Sequence, residues 1–239
     1  MCSSDLRDVG SQARFWAAAL GWEVAGEDDD EATVAPAGFG YPGPGAVPIV
    51  FVPVPERKEV KSRVHLDLAT SSAEHQAEIV GRLTGLGGKR ADIGQADVPW
   101  VVMADPEGNE FCVLEPRDEY SGTGPVAAIC TDCRDPAVLA RFWSQSAGWT
   151  VTYQEDGFAG LRSPAGTGPF LEFLRNPDAK LVKNRLHQDL APEKSDDRDA
   201  ELARLLAAGA TRVDVGQGEV TWAVLADPEG NEFCVLTPR

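Results

Sequence analysis

One pattern occurs twice in this chain. Asp105-Pro-Glu-Gly-Asn-Glu-Phe-Cys-Val-Leu-Glu-Pro-Arg117 recurs as residues 227–239 with a single change, Glu115 against Thr237. The same offset of 122 carries His65 onto His187, Asp67 onto Asp189, Gly94-Gln95 onto Gly216-Gln217 and Trp100 onto Trp222. Nearer the start, Arg14-Phe15-Trp16 and Gly21-Trp22 return as Arg141-Phe142-Trp143 and Gly148-Trp149 at an offset of 127. The difference of five is a longer loop in the first copy, residues 35–48, rich in Gly and Pro. Surface loops carry insertions of that kind. A period near 120 is too long for stacked solenoid repeats. The chain therefore reads as two homologous domains, 1–117 and 125–239, joined by a polar linker at 118–124 that carries Ser121-Gly122-Thr123-Gly124.

A length of 239 residues suits two small domains and needs no disulfides to hold a core. The five cysteines are an odd number for a disulfide framework, which points to a reducing cytoplasm. A formal net charge of −16 opposes nucleic-acid backbones and anionic lipid surfaces. No stretch approaches the 18 apolar residues of a membrane span, and Met1-Cys2-Ser3-Ser4-Asp5 lacks a basic region followed by an apolar one. The expectation is a cytoplasmic monomer or homodimer whose partner is a small molecule, with neither nucleic acid nor membrane involved.

Each copy reads as strand, helix, three strands, and then the same again. In the second copy residues 126–131 form an apolar run suited to a buried strand. Asp135-Pro136 then opens a helix with a cap residue and a proline in its first turn. Val138, Leu139, Phe142 and Trp143 supply that helix with an apolar stripe. Short strands follow at 149–154, 158–162 and 170–174, separated by Gly and Pro. The second half opens with the strand 185–190 and continues with a helix at 197–208 ended by Gly209. Its three strands fall at 212–215, 220–226 and 232–236, the last two joined by the Asp227-Pro-Glu-Gly-Asn231 hairpin. The first copy follows the same order, but its first strand has almost no residues before Asp5.

This tandem order, with a His opening the second unit and an Asp-Pro-Glu-Gly-Asn hairpin before its last strand, resembles the vicinal oxygen chelate superfamily. That group includes glyoxalases, bleomycin-resistance proteins and extradiol dioxygenases. Lys61-Ser-Arg-Val-His-Leu-Asp-Leu68 and Lys183-Asn-Arg-Leu-His-Gln-Asp-Leu190 resemble its glyoxalase-like branch. The resemblance covers essentially the whole chain and implies an α+β fold of four βαβββ units that form two cup-shaped sheet domains. It also implies four metal ligands per site, drawn from the first and last strands of each half. Here the second-unit His is present as His65 and His187. The first-unit opening position falls near Met1 in one copy and on Ala128 in the other, neither a useful ligand. The Glu of the first unit's last strand is Glu172 in the second copy and Val50 in the first. The final-strand Glu is replaced by Cys112 and Cys234.

Two functional classes follow. In the leading one the four-ligand metal site is degenerate, and the cup binds an aromatic or hydrophobic small molecule such as a metabolite or antibiotic. Trp100 and Trp222 would then stack on it, as indoles do on flat ligands. The alternative is a metal-dependent lyase or isomerase with its site in the second domain. There Glu172, His187 and Cys234 would hold one divalent ion (Zn, Ni, Mn or Fe) that polarises a carbonyl. His65 with Asp67, and His187 with Asp189, are i, i+2 strand pairs that share a face, so each carboxylate can fix an imidazole as a general base. Cys130-Thr-Asp-Cys133 has redox-like spacing but no helix start to lower a thiol pKa. Glu27 to Glu31 reads as a solvated turn.

Overall fold

The computed structural model describes residues 2–6 (main chain), 8–28, 30–41, 43, 45–54, 56–218 and 220–238. The first unit comprises β1 (Cys2–Leu6), α1 (Val9–Leu20), β2 (Glu23–Glu27), β3 (Ala32–Ala35) and β4 (Ile49–Pro53). The second comprises β5 (Val64–Leu68), α2 (Ala73–Gly85), β6 (Lys89–Arg90), β7 (Val101–Ala104) and β8 (Glu110–Val113). The third runs through β9 (Val126–Cys133), α3 (Pro136–Ala147), β10 (Thr150–Glu155), β11 (Phe158–Arg162) and β12 (Phe170–Arg175). The fourth contains β13 (Leu186–Leu190), α4 (Arg198–Ala207), β14 (Thr211–Arg212), β15 (Ala223–Ala226) and β16 (Glu232–Val235). Local chemistry sets these boundaries. The Asp135 carboxylate accepts from the amides of Ala137 and Val138 at the start of α3, while Asp8, Ser72 and Asp197 cap the other three helices. Losing such a cap costs about 1 kcal/mol. Gly108 and Gly230 take φ of 88° and 84° in the two Asp-Pro-Glu-Gly-Asn hairpins, where a side chain would be strained. Asp28 closes the acidic turn by accepting from the amides of Asp30 and Glu31.

Two eight-stranded sheets result, and each takes one unit from each repeat. Sheet A runs β14-β15-β16-β13-β1-β4-β3-β2 and joins the first unit to the fourth. Sheet B runs β10-β11-β12-β9-β5-β8-β7-β6 and joins the third unit to the second. The junctions are the antiparallel pairs β1–β13 and β5–β9. The sequence leaves β1 with few residues, yet it forms a five-residue strand because β4 and β13 both pair with it.

Each repeat's own two units meet through aromatic packing instead. Trp16 on α1 lies 5.0 Å from Phe111 on β8, and its indole donates to Asp105 at 3.3 Å. Trp143 on α3 lies 5.2 Å from Phe233 on β16 and donates to Asp227 at 3.4 Å. Asp105 and Asp227 are the buried acids that organise the two hairpins, each accepting from the amide and side chain of the Asn four residues on. Each buried Phe or Leu of this core contributes roughly 1.5–3 kcal/mol. Burial pushes both aspartates' pKa up against those hydrogen bonds. Cys130 and Cys133 face opposite sides of β9, with Cys133 in the helix-facing core, so the C-x-x-C spacing brings no thiol pair together. Among the described residues no helix is long and apolar enough to cross a membrane.

Candidate functional site

Register assembles the same transverse row of residues in each sheet. Across sheet B it reads Tyr153, Gly160, Glu172, Cys130 and His65. Across sheet A the matching row is Gly26, Thr33, Val50, Ser3 and His187. Two residues further along the central strand, Asp67 faces Cys112 and then Val102, as Asp189 faces Cys234 and then Val224. Residues paired in register project from one face of a sheet, so the described side chains of each row line one cup.

The cup of sheet B is filled by its own side chains. Glu172 is buried, and its carboxylate accepts from Tyr120 at 3.0 Å, from Tyr153, and from the Cys130 thiol at 3.7 Å. Burial raises its pKa to about 7, against the three hydrogen bonds that favour the charged form. Burial and the adjoining acids push both tyrosines and Cys130 the same way. Gly160 makes the arrangement possible, because a Cβ there would meet the Tyr153 ring at 2.0–2.4 Å. Arg117 lies over the rings of Trp100 and Tyr120, at 5.8 and 5.9 Å, and pairs with Glu115 at 2.7 Å. The Nε2 atom of His65 lies 3.5 Å from the buried Oδ1 of Asp67. About 150 Å³ of cavity remains, bordered by His65, Asp67, Trp100 and Glu172.

The cup of sheet A is open. Its cavity is about 440 Å³, within the range of small-molecule sites. At its base His187 is buried, with its Nε2 atom 3.3 Å from Asp189 and 3.4 Å from the Cys234 sulfur. Burial opposes a charge on His187, but bonding to Asp189 and Cys234 holds its pKa well above the usual imidazole range. Burial raises the Cys234 thiol, partly offset by His187. Val50 and Thr33 form the wall where sheet B has Glu172 and Gly160. The rim combines Trp222, whose indole donates to Gln217 at 3.2 Å, with Phe39 and Tyr41 of the 35–48 loop. The two rings of that loop pack edge to face at 5.1 Å.

The structure thus brings Trp100 together with His65 and Asp67, and Trp222 together with His187 and Asp189. It does not bring Glu172 to His187 and Cys234. Glu172 lies in sheet B and the other two in sheet A, because the third and fourth units enter different sheets. The donor atoms that do converge, each set within 4.8 Å, are those of His65, Asp67 and Cys112; of Asp67, Cys130 and Glu172; and of His187, Asp189 and Cys234. Mixed N, O and S donors of this kind fit a zinc-class divalent ion. Sequence reading missed Tyr120, Tyr153, Phe39 and Tyr41 as cup residues. Tyr120 lies within the 118–124 linker, which reads as polar, and the insertion stands out by its length rather than by its two aromatics. The first-unit ligand position near Met1 lies outside the described residues.

The sequence matches the glyoxalase-like domain family over residues 1–114 and 128–236. A comparison with curated proteins finds no match. Among solved structures, a glyoxalase I mutant from Zea mays aligns with a TM-score of 0.68 at 14% identity, covering 98% of this chain and 91% of that one. Glyoxalase I from the same plant gives 0.65 at 12% identity, covering 98% and 90%. A candidate dioxygenase from Bacillus subtilis gives 0.62 at 14% identity, covering 98% and 82%. At these identities the likeness is one of fold.

Proposed function

Since the chain belongs to the glyoxalase-like domain family, we propose that its two cups have separate roles and that the sheet A cup binds a small, flat, largely apolar molecule. The observation that carries this reading is the contrast between cups built on one plan. Tyr153 and Glu172 fill the sheet B cup to about 150 Å³, whereas Gly26 and Val50 at the matching positions leave about 440 Å³ in sheet A. An apolar wall of Val50, Val52 and Leu236 would desolvate the ligand's ring system. Trp222, Phe39 and Tyr41 give it aromatic faces to stack on. His187 and Asp189 give the base of the cup a polar pair toward which a ligand oxygen would turn.

The experiment is a titration of the intact protein with a panel of planar aromatic compounds, 8-anilinonaphthalene-1-sulfonate first, followed by tryptophan quenching. The expected result is saturable binding that weakens roughly 10- to 100-fold in Trp222→Ala, the loss of one stacking partner. Trp100→Ala should leave it unchanged. Equal losses in the two variants, or no saturable binding across the panel, would overturn the assignment.

The convergence of His187, Asp189 and Cys234 favours a second reading, a metal-dependent lyase or isomerase at the same cup. A divalent ion bound there would act as a Lewis acid on a ligand carbonyl. In that reading Asp189 positions His187, and the apolar wall excludes water from the reacting carbonyl. Equilibrium dialysis against zinc, with one ion retained per chain and lost in His187→Ala but not in His65→Ala, is the result it requires.

A further inference from the structure

Both cups present aromatic rings at the mouth, and the cup of sheet B supplies a cation to its own. Arg117 lies over Trp100 and Tyr120 at 5.8 and 5.9 Å, and Glu115 ties its guanidinium down at 2.7 Å. The place where a flat cation would stack is therefore already taken in that cup. Sheet A lacks the tie. Trp222 stands where sheet B has Trp100, but the single change between the two repeated segments puts Thr237 in the place of Glu115. Arg239, the counterpart of Arg117, lies outside the described residues. Phe39 and Tyr41 give the sheet A rim two further rings, packed edge to face at 5.1 Å.

The charges of the two linings differ as well. Lys61 and Arg117 line the cup of sheet B, whereas the described residues lining that of sheet A include no lysine or arginine. Its carboxylates are Glu31 at the rim and Asp189 at the base, and Asp189 lies 3.3 Å from His187. Glu31 ends the acidic 27–31 turn and is exposed. Glu27 of that turn pairs with Arg14 at 3.5 Å, but no described lysine or arginine pairs with Glu31. The face of an aromatic ring is negative and attracts a cation, most strongly where water is excluded. The net charge of −16 draws cations toward the same opening and repels anions. We propose, on the reading that the sheet A cup holds the ligand, that this ligand is a flat aromatic cation carrying an alkylated ring nitrogen. Its charge lies among Trp222, Phe39, Tyr41 and Glu31, and its apolar edge lies against Val50 and Val52. A neutral ring would gain the stacking alone. An anion would face Glu31 with no described lysine or arginine to receive it.

Calorimetric titration of the intact protein with three ligands of similar shape tests the charge directly. They are 1-methylquinolinium, its neutral isostere 1-methylnaphthalene, and 1-naphthoate. The cation should bind about tenfold more tightly than the neutral ring, with the anion weakest of the three. Added salt should weaken the cation and leave the neutral ring alone. Glu31→Gln changes an exposed side chain, and it should weaken the cation about two- to fivefold while sparing 1-methylnaphthalene. Trp222→Leu keeps apolar bulk without the π face, so it should cost the cation more than the neutral ring. Equal affinity for cation and neutral ring, or tighter binding of naphthoate, would overturn the charge assignment and leave a flat apolar ligand for the cup. Binding of none of the three would overturn the reading of the cup as well. A gain of about tenfold or more for the cation in Arg239→Ala would overturn the proposal by making the chain's own arginine the occupant.

Discussion

Replacing Glu172 by glutamine should make the protein's stability less dependent on pH, and the size of the effect follows from the cup of sheet B. The side chain is 2% exposed and its pKa is raised to about 7 from an ordinary 4.5, because burial penalises the carboxylate more than Tyr153, Tyr120 and Cys130 stabilise it. A carboxyl whose folded pKa lies above its unfolded value binds its proton more tightly when folded. Its contribution is complete below the unfolded pKa and is lost as pH rises through the folded one. Between about pH 5 and pH 8.5 that loss is about 2–3 kcal/mol for this group. The replacement amide is nearly isosteric with the carboxyl and cannot ionise. Its oxygen can accept from one tyrosine while its nitrogen donates to the other, so the cup stays filled. Urea unfolding of both proteins at several pH values, with a chelator present, measures the difference directly. The stability of Glu172→Gln relative to the natural chain should rise by about 2–3 kcal/mol from about pH 5 to pH 8.5. A difference that stays flat over that range would show that Glu172 titrates normally and would refute the account of a buried, proton-holding carboxyl.

Three further outcomes follow from the same geometry. Gly160→Ala should destabilise the fold by roughly 1–3 kcal/mol, since the added methyl meets the Tyr153 ring, and the same substitution made in a Tyr153→Ala background should cost much less in urea melts. Tyr41→Ala, at a residue 44% exposed on the sheet A rim, should weaken binding of 8-anilinonaphthalene-1-sulfonate while moving the melting temperature little. Trp16→Phe should cost about 1–3 kcal/mol, because Asp105 loses a buried indole donor, and Trp143→Phe should match it through Asp227. Unequal losses in urea denaturation would break the claim that the two repeats are joined alike.

Much of the fold was legible because local signals agreed with one another. Asp135-Pro136, the Asp-Pro-Glu-Gly-Asn hairpins and the apolar stripes of α1 and α3 each state an element boundary or a buried face within a few residues, and all of them hold. The i, i+2 spacing of His65 with Asp67 and His187 with Asp189 places each pair on one side of a strand, and their separations of 3.5 and 3.3 Å follow. Unit pairing was not legible. It depends on which first strands meet, β1 with β13 and β5 with β9, and no local residue encodes that choice. A ligand set assembled from neighbours in one repeat therefore combined Glu172 with His187 and Cys234 across two different sheets.

The divergence of the two cups follows from single positions in register rather than from any change of fold. Three substitutions along one transverse row are mutually dependent. A carboxylate at position 172 on β12 needs donors once it is buried. Tyr153 supplies one only because position 160 between them is glycine, which lets the ring lie across β11. In sheet A the same three places hold Gly26, Thr33 and Val50, so there is no acid to satisfy, no tyrosine to satisfy it and no need for a bare strand between them. Removing Tyr153 alone takes a donor from the acid, and adding a side chain at position 160 alone meets the tyrosine ring, while changing all three trades a filled polar cup for an open apolar one. The longer 35–48 loop then adds Phe39 and Tyr41 to the open cup, where aromatic rings have space beside them to receive a ligand.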